Sequence, residues 1–123
     1  MNAPAADAAQ QAAIDQAIAA WRAVGLSAPD RNATGAVSVS VVFEPGSPSS
    51  YGQYDGAGDQ IVVNDDLAAA QAPIVIAHEL GHAFGLVHVP PSERASVMNP
   101  GNLTVAPTAA DAAAITAVWG ACK

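Results

Sequence analysis

The sequence predicts a small α+β fold with a helix near the N-terminus, a group of short strands, a second helix and a helix near the C-terminus. Two patterns carry this prediction. Apolar residues recur at helical spacing in three segments, and period-two alternation marks short segments between residues 37 and 64. A chain of 123 residues is long enough for one domain with a hydrophobic core but not for two.

The composition is that of a globular protein and argues against several classes of partner. Hydrophobic residues make up 51% of the chain and charged residues 12%, which is not the balance of a disordered chain. The net charge is −7 and the four basic residues are scattered, so a nucleic acid would find no cationic cluster. No apolar run approaches the roughly 20 residues that span a bilayer. We expect a monomer without nucleic-acid or membrane partners.

The first helix is predicted to begin after a disordered segment at residues 1–6. Asp7 is a suitable N-cap, and Gly25 is a suitable stop after about Val24. Between them, apolar residues follow the spacing of one helical face, which we expect to be buried. This face holds Ile14, Ala17, Ile18, Trp21 and Val24.

Short strands are predicted in the middle of the chain. Apolar residues alternate with other residues from Val37 to Phe43, as in a half-buried strand. Two further strands are predicted at Tyr51–Tyr54 and Gln60–Asn64, and a turn at Asp55–Asp59 would join them into a hairpin.

Two more helices are predicted after the strands. Pro73 suits the first turn of a helix that runs to about Phe84. Thr108 and Asp111 have the spacing of a capping box at the start of the last helix, which we expect to end at Gly120. The buried sides of these helices are predicted to hold Ile74, Val75 and Ala77, and Ile115, Val118 and Trp119.

The second of the three predicted helices carries the pattern H-E-x-x-H-x-x-G-x-x-H, which contains every histidine of the chain. His78 and His82 leave the same face of a helix, so both imidazoles can reach one metal ion. Gly85 can adopt a left-handed conformation and turn the chain so that His88 becomes a third ligand. Three protein ligands leave a fourth position open, as in catalytic zinc sites. The alternative, two core histidines and a surface one, is disfavoured by this spacing.

Glu79 follows the first of these histidines and cannot point in the same direction as His78. A carboxylate beside the metal can take a proton from metal-bound water, which is the role of this glutamate position in zinc proteases. We therefore predict one catalytic Zn²⁺ ion with Glu79 as the general base.

Met98 lies in the segment Ser96–Pro100, where a tight turn could form an apolar floor beneath the metal. Together with the histidine pattern, this segment resembles the metzincin clan of zinc endopeptidases and its Met-turn. The sequence is most similar to the matrixins (peptidase M10-like) and their bacterial relatives, through His-Glu-Leu-Gly-His, Gly85-Leu86 and Met98-x-Pro100. The resemblance implies a small metzincin-like (zincin) catalytic domain over residues 7–123, with a twisted mixed sheet, that hydrolyses peptide bonds in proteins.

The resemblance also implies roles for residues around the site. Substrate would lie along an edge strand of the sheet, with Gln60–Asn64 as that strand or its neighbour. Asp111 matches an acidic residue that supports the Met-turn in matrixins, and it equally suits a helix N-terminus. The loop after Met98 would wall the pocket for the side chain following the cut, which we call the S1′ pocket. The predicted wall residues are Asn99, Pro100, Leu103 and Val105.

Calcium is a further ligand that the resemblance suggests, because matrixins bind calcium in the region that corresponds to four aspartates of this chain. Aspartate is also an ordinary turn residue, and we favour that explanation. The structural zinc site of matrixins needs further histidines, which this sequence lacks. The four aspartates are Asp55, Asp59, Asp65 and Asp66.

Two other functions stay open from the sequence. A zinc-binding domain without proteolytic activity could use the same cleft only to bind peptides, although Glu79 argues against it. A structural module without metal is disfavoured by the spacing of the three histidines. Residues 1–3 lack the features of a signal peptide, so we expect either a cytosolic protein or a mature portion with a new start methionine. We favour the second, a secreted or extracytoplasmic protein, because metzincins are mostly secreted. Cys122 is expected to be incidental or paired with a segment outside this chain.

Overall fold

The computed structural model describes residues 7–25, 40–44, 52–55, 60–64, 67–68 and 70–119. Within these ranges the chain forms a small α+β fold of three helices and a three-stranded mixed sheet, which confirms the predicted fold class. None of the described helices is long and apolar enough to cross a membrane. The elements are α1 (Ala8–Ala23), β1 (Ser40–Glu44), β2 (Gly52–Asp55), β3 (Gln60–Asn64), α2 (Ala72–Ala83) and α3 (Ala109–Trp119).

Several predictions fall on parts of the chain that lie outside the described residues. They concern residues 1–6, the beginning of the first strand at Val37, the hairpin turn at 56–59, the acids Asp59, Asp65 and Asp66, the last helix's end at Gly120, Cys122, and the side chains of Asp55, Val118 and Trp119.

Helix α1 begins and ends as its sequence predicts. The Asp7 side chain accepts a hydrogen bond from the Gln10 backbone N–H (2.8 Å), and the Gln10 side chain accepts one from the Asp7 N–H (2.9 Å). This reciprocal capping box satisfies donors that a helix start leaves unpaired. After the last turn, Gly25 takes a φ of 99°, which residues with a Cβ rarely adopt. The buried residues of α1 are Ala13, Ile14, Ala17, Ile18 and Trp21.

The sheet has the order β1-β3-β2, so β3 is its central strand. Strand β3 is parallel to β1 and antiparallel to β2, with Asp55 opposite Gln60. The predicted pairing of the hairpin is therefore confirmed. Since Gln60–Asn64 has a neighbour on each side, it is not an edge strand, and β2 is the edge strand nearest the site among the described strands. Gln60–Asn64 is therefore the neighbour of an edge strand, and the pairing of either strand with a substrate stays a prediction.

Helices α1 and α2 pack together and share the core with one face of the sheet, through Val41, Ile61 and Val63. The fully buried Trp21 anchors this contact. Its indole Nε1–H donates to the Ala77 carbonyl at 3.0 Å, and its ring meets Phe84 edge-on with centroids 5.8 Å apart. Truncating a buried tryptophan of this kind to alanine costs about 3–5 kcal/mol of stability. The core thus holds α2, which carries the histidine pattern, in a fixed position.

Candidate metal centre

The three histidines of the sequence pattern lie together at the end of α2. His78 and His82 project from successive turns, and their ring centroids are 4.9 Å apart. The ring of His88 lies 5.3 Å from that of His78 and 4.9 Å from that of His82. One ligand nitrogen from each histidine lies within 4.8 Å of the others, so the three can bind one metal ion. The predicted clustering of the three histidines is confirmed, and the identity of the metal stays a prediction.

A tight turn at Gly85 brings His88 back toward the helix. The N–H of Gly85 donates to His82 O at 3.0 Å, and the N–H of Leu86 donates to Gly81 O at 2.9 Å. These two bonds form a Schellman motif, which needs a left-handed residue after the helix. Gly85 supplies it with a φ of 100°, as the sequence predicted.

Backbone carbonyls orient the two histidines of α2. His78 Nδ1 lies 2.6 Å from Val97 O, and His82 Nδ1 lies 2.9 Å from Leu86 O. Because a carbonyl oxygen can only accept, each Nδ1 carries the proton and donates it, which leaves the lone pair on Nε2 for a metal. A hydrogen bond from the second ring nitrogen is the usual support of a histidine ligand.

The electrostatics of the site favour the neutral form of His78 and of His88, the form that metal ligation requires. Burial lowers the pKa of His78, more than the Val97 hydrogen bond raises it. Partial burial also lowers the pKa of His88, and the neighbouring His82 lowers it further. The donor set of three imidazoles with one open side suits zinc and other borderline transition metals rather than calcium or magnesium, which prefer oxygen ligands.

Glu79 is buried beside the histidines, with Oε1 at 3.9 Å from His78 Nε2. Burial raises the pKa of its carboxyl group, while the nearby His82 and a hydrogen bond from the Tyr54 backbone oppose this effect. The carboxylate shares a surface cleft with His82, His88 and the strand β2. The carboxylate thus lies next to the histidine cluster, and its role as general base stays a prediction.

Gly52 allows β2 to come close to Glu79, and it was not among the predicted site residues. A Cβ atom at this position would lie 2.7 Å from Val75 Cγ1 and 3.4 Å from Glu79 Cγ. Only glycine therefore lets the strand pack directly on α2. A glycine inside a predicted strand can mark a close approach, but it does not tell which residues lie against it.

The turn around Met98 packs beneath the metal centre. Met98 is fully buried, and its Sδ lies against Gly81, the residue before His82. The preceding residue, Val97, provides the carbonyl that holds His78. The turn therefore contacts the ligand-bearing helix through both a side chain and the backbone.

Asp111 holds this turn from α3, and it also caps that helix. Its carboxylate accepts hydrogen bonds from Ser96 Oγ (2.5 Å), Val97 N–H (3.1 Å), Arg94 (2.7 Å) and Thr108 N–H (3.0 Å). Burial by itself would raise the pKa of Asp111, but these hydrogen bonds outweigh it and hold the pKa below its usual value. Both roles that the sequence left open for Asp111 are therefore present.

The residues predicted to wall the S1′ pocket are arranged differently from one another. The Asn99 side chain is buried and forms three hydrogen bonds with backbone groups of its own loop. These bonds hold the Asn99 side chain within the loop. Pro100 is exposed, and Leu103 and Val105 are half-buried. None of the four lines the cleft beside the histidines, and their contact with a bound peptide stays a prediction.

No protein-family model matches the chain, and no curated protein matches it either.

Proposed function

We propose that the protein is a zinc-dependent endopeptidase with a metzincin-like, matrixin-related catalytic domain. One observation supports this most strongly: a buried glutamate and two of the three clustered histidines line one open cleft along a β-strand. A structural metal site would be closed by a fourth protein ligand, and no fourth histidine, cysteine or acid joins the cluster among the described residues. The strand order β1-β3-β2, with its antiparallel β2 beside α2, is compatible with such a domain.

The residues present fit a zinc ion. His78, His82 and His88 would hold it, the first two through Nε2, because their Nδ1 atoms already donate to backbone carbonyls. When bound, zinc supplies Lewis acidity, which makes a water more acidic and polarises a peptide carbonyl. The protein's own task is to fix the three imidazoles and to leave one side of the ion open. The burial of the rings is consistent with one open side, because His78 is buried while His88 is exposed to solvent.

Glu79 would move the protons of the reaction. Its carboxylate takes a proton from the attacking water and delivers it to the nitrogen of the leaving amine. A group that both accepts and releases a proton works best when its pKa is close to the working pH. Burial shifts the pKa of Glu79 upward, which is the direction that this role requires.

The substrate would lie along β2. Gly52, Gln53 and Tyr54 line the cleft together with Glu79 and two of the histidines. We infer that an extended peptide would run beside this strand, in the manner of β-strand addition, with its scissile bond within reach of Glu79. The Tyr54 backbone also donates to Glu79, so the strand that receives the peptide also orients the base. Secretion of the mature protein and a monomeric state belong to the same proposal.

A peptide-library digest tests the proposed function. We expect purified protein to cleave the library, to lose the activity with a zinc chelator and to regain it when zinc is added back. An enzyme that cleaves equally well after complete metal removal would contradict a metal-dependent mechanism. No cleavage by protein that holds one zinc ion would instead favour a zinc-binding domain that binds peptides without cutting them.

A further inference from the structure

The third histidine differs from the other two in how its ring is supported. His78 and His82 each donate through Nδ1 to a backbone carbonyl. The ring of His88 is exposed, and no hydrogen bond joins it to another residue in the described ranges. Metal ligands depend on groups behind them for their orientation. The position of His88 must therefore come from its backbone.

Both backbone polar groups of Val89, the residue after His88, form hydrogen bonds. The Val89 N–H donates to the carbonyl of Met98 at 3.0 Å, and the Val89 carbonyl accepts from Asn99 Nδ2 at 2.8 Å. The two partners are neighbours in the turn that packs beneath the metal centre. Together these bonds tie the chain just after His88 to that turn.

Both the nitrogen and the oxygen of the Asn99 side-chain amide form hydrogen bonds within this loop. Besides the bond to Val89, Nδ2 donates to the carbonyl of Arg94 at 3.1 Å, and Oδ1 accepts from the N–H of Ser96 at 2.9 Å. The side chain thus joins the beginning, the middle and the end of the loop between residues 88 and 99. Only an amide of this length offers two donors and an acceptor here, because aspartate has no N–H to donate.

We propose that Asn99 is a positioning residue for His88, acting through the Val89 carbonyl. This inference rests on the metal site of the proposed function, but not on proteolysis. Supports of a metal ligand are worth about 10- to 100-fold in metal affinity. The loss of Asn99 should therefore weaken metal binding by that factor, and it should do so only while His88 is a ligand.

A double-mutant cycle tests this dependence with Zn²⁺ in competition against a chelating dye. We expect Asn99→Ala to weaken zinc binding about 10- to 100-fold in the otherwise unchanged protein. In the His88→Ala background, the same substitution should change the affinity by less than about threefold. Equal weakening in both backgrounds, or no weakening in the unchanged protein, would overturn the proposal. Cobalt loading adds a spectroscopic check, since a displaced third ligand alters the visible absorption of a tetrahedral Co²⁺ site.

Two further variants separate positioning from general loss of stability. Asn99→Asp keeps the acceptor for Ser96 but places an oxygen against two carbonyls, so it should weaken zinc binding even if Asn99→Ala does not fold. Ile14→Val in the core of α1 should lower the melting temperature without changing zinc affinity or the Co²⁺ spectrum. If Ile14→Val weakens zinc binding as much as Asn99→Asp does, the proposal is wrong. Absence of proteolysis alongside tight zinc binding would refute the proposed function and leave this inference intact.

Discussion

Gly81 and Met98 pack so closely that a Cβ atom on Gly81 would collide with the Sδ atom of Met98. The same Cβ would also lie 3.5 Å from the indole of Trp21. The contact joins the helix that carries His78 and His82 to the turn that lies beneath it. The absence of a side chain at residue 81 therefore sets how closely the two parts of the metal centre approach.

Gly81→Ala should destabilise the protein by about 1–3 kcal/mol, because the added methyl group forces Met98 or the helix to move. In an unhindered helix the same substitution would stabilise by about 0.5–1 kcal/mol, so the sign of the change is informative. Thermal unfolding of the metal-free protein measures it. A higher melting temperature for the variant would show that the contact is not close.

Much of the fold and of the metal centre follows from local sequence signals. Asp7 and Gly25 mark the two ends of α1, and Gly85 marks the turn after α2, because capping and left-handed turns need particular residues. The spacing of the three histidines predicts their cluster, since helix geometry alone places the first two on one face.

Other features depend on partners that are distant in sequence and could not be predicted. Val97 supports His78 through its carbonyl oxygen, a group that every residue carries. Gly52 is needed only because Val75 and Glu79 pack against it. The three hydrogen bonds of the Asn99 amide within its own loop were not predicted either, because they depend on how the backbone of that loop folds.

Asp111 is predicted to be important for stability. Asp111→Ala removes the acceptor of Ser96 Oγ and of the buried Val97 N–H and leaves Arg94 without its carboxylate, which should cost about 3–5 kcal/mol. Urea unfolding at neutral pH measures the loss. Glu93→Ala, at an exposed position, is the control and should change the free energy of unfolding by less than about 0.5 kcal/mol.

The stability of the protein should also depend on pH through Asp111. Its pKa in the folded state is below the unfolded value of about 3.9, so the stabilisation is fully present above that value. It is lost as the pH falls through the lower folded pKa. Wild-type stability should thus fall more steeply than that of Asp111→Asn below about pH 4. Parallel curves for the two proteins in acid would contradict this assignment.

Zinc binding should be sensitive to acid because imidazole ligands must be neutral. We expect one zinc ion per chain near neutral pH and a falling affinity below about pH 6. Because the pKa values of His78 and His88 are lowered, protons compete with zinc for these nitrogens only at a lower pH. The loss of zinc is therefore shifted toward lower pH. Metal analysis after dialysis at several pH values measures the retention. Far less than one equivalent at neutral pH, after refolding with zinc, would count against the site.

Cleavage is predicted before medium-sized apolar residues such as Leu, Met or Phe. The loop from Asn99 to Pro107 carries no charged side chain, and burying an unpaired charge against it would be costly. An apolar side chain would gain up to roughly 1.5–3 kcal/mol, about ten- to a hundredfold in rate. Leu103→Ala should weaken the preference if the half-buried Leu103 lines the pocket. Sequencing of the digest products measures it, and a preference for charged residues after the cut would show that another element builds the pocket.

Glu79→Ala, loaded with zinc, provides the most direct test of the proposed mechanism. Glu79 is not a metal ligand in this arrangement, so the variant should retain one zinc ion. Its rate of peptide-library cleavage should fall roughly 10²–10⁴-fold because general base catalysis is lost. Glu93→Ala, at an exposed position, is the matched control and should cleave at the wild-type rate. Cleavage by zinc-loaded Glu79→Ala at the wild-type rate would contradict the role of Glu79 and, with it, the proposed endopeptidase mechanism.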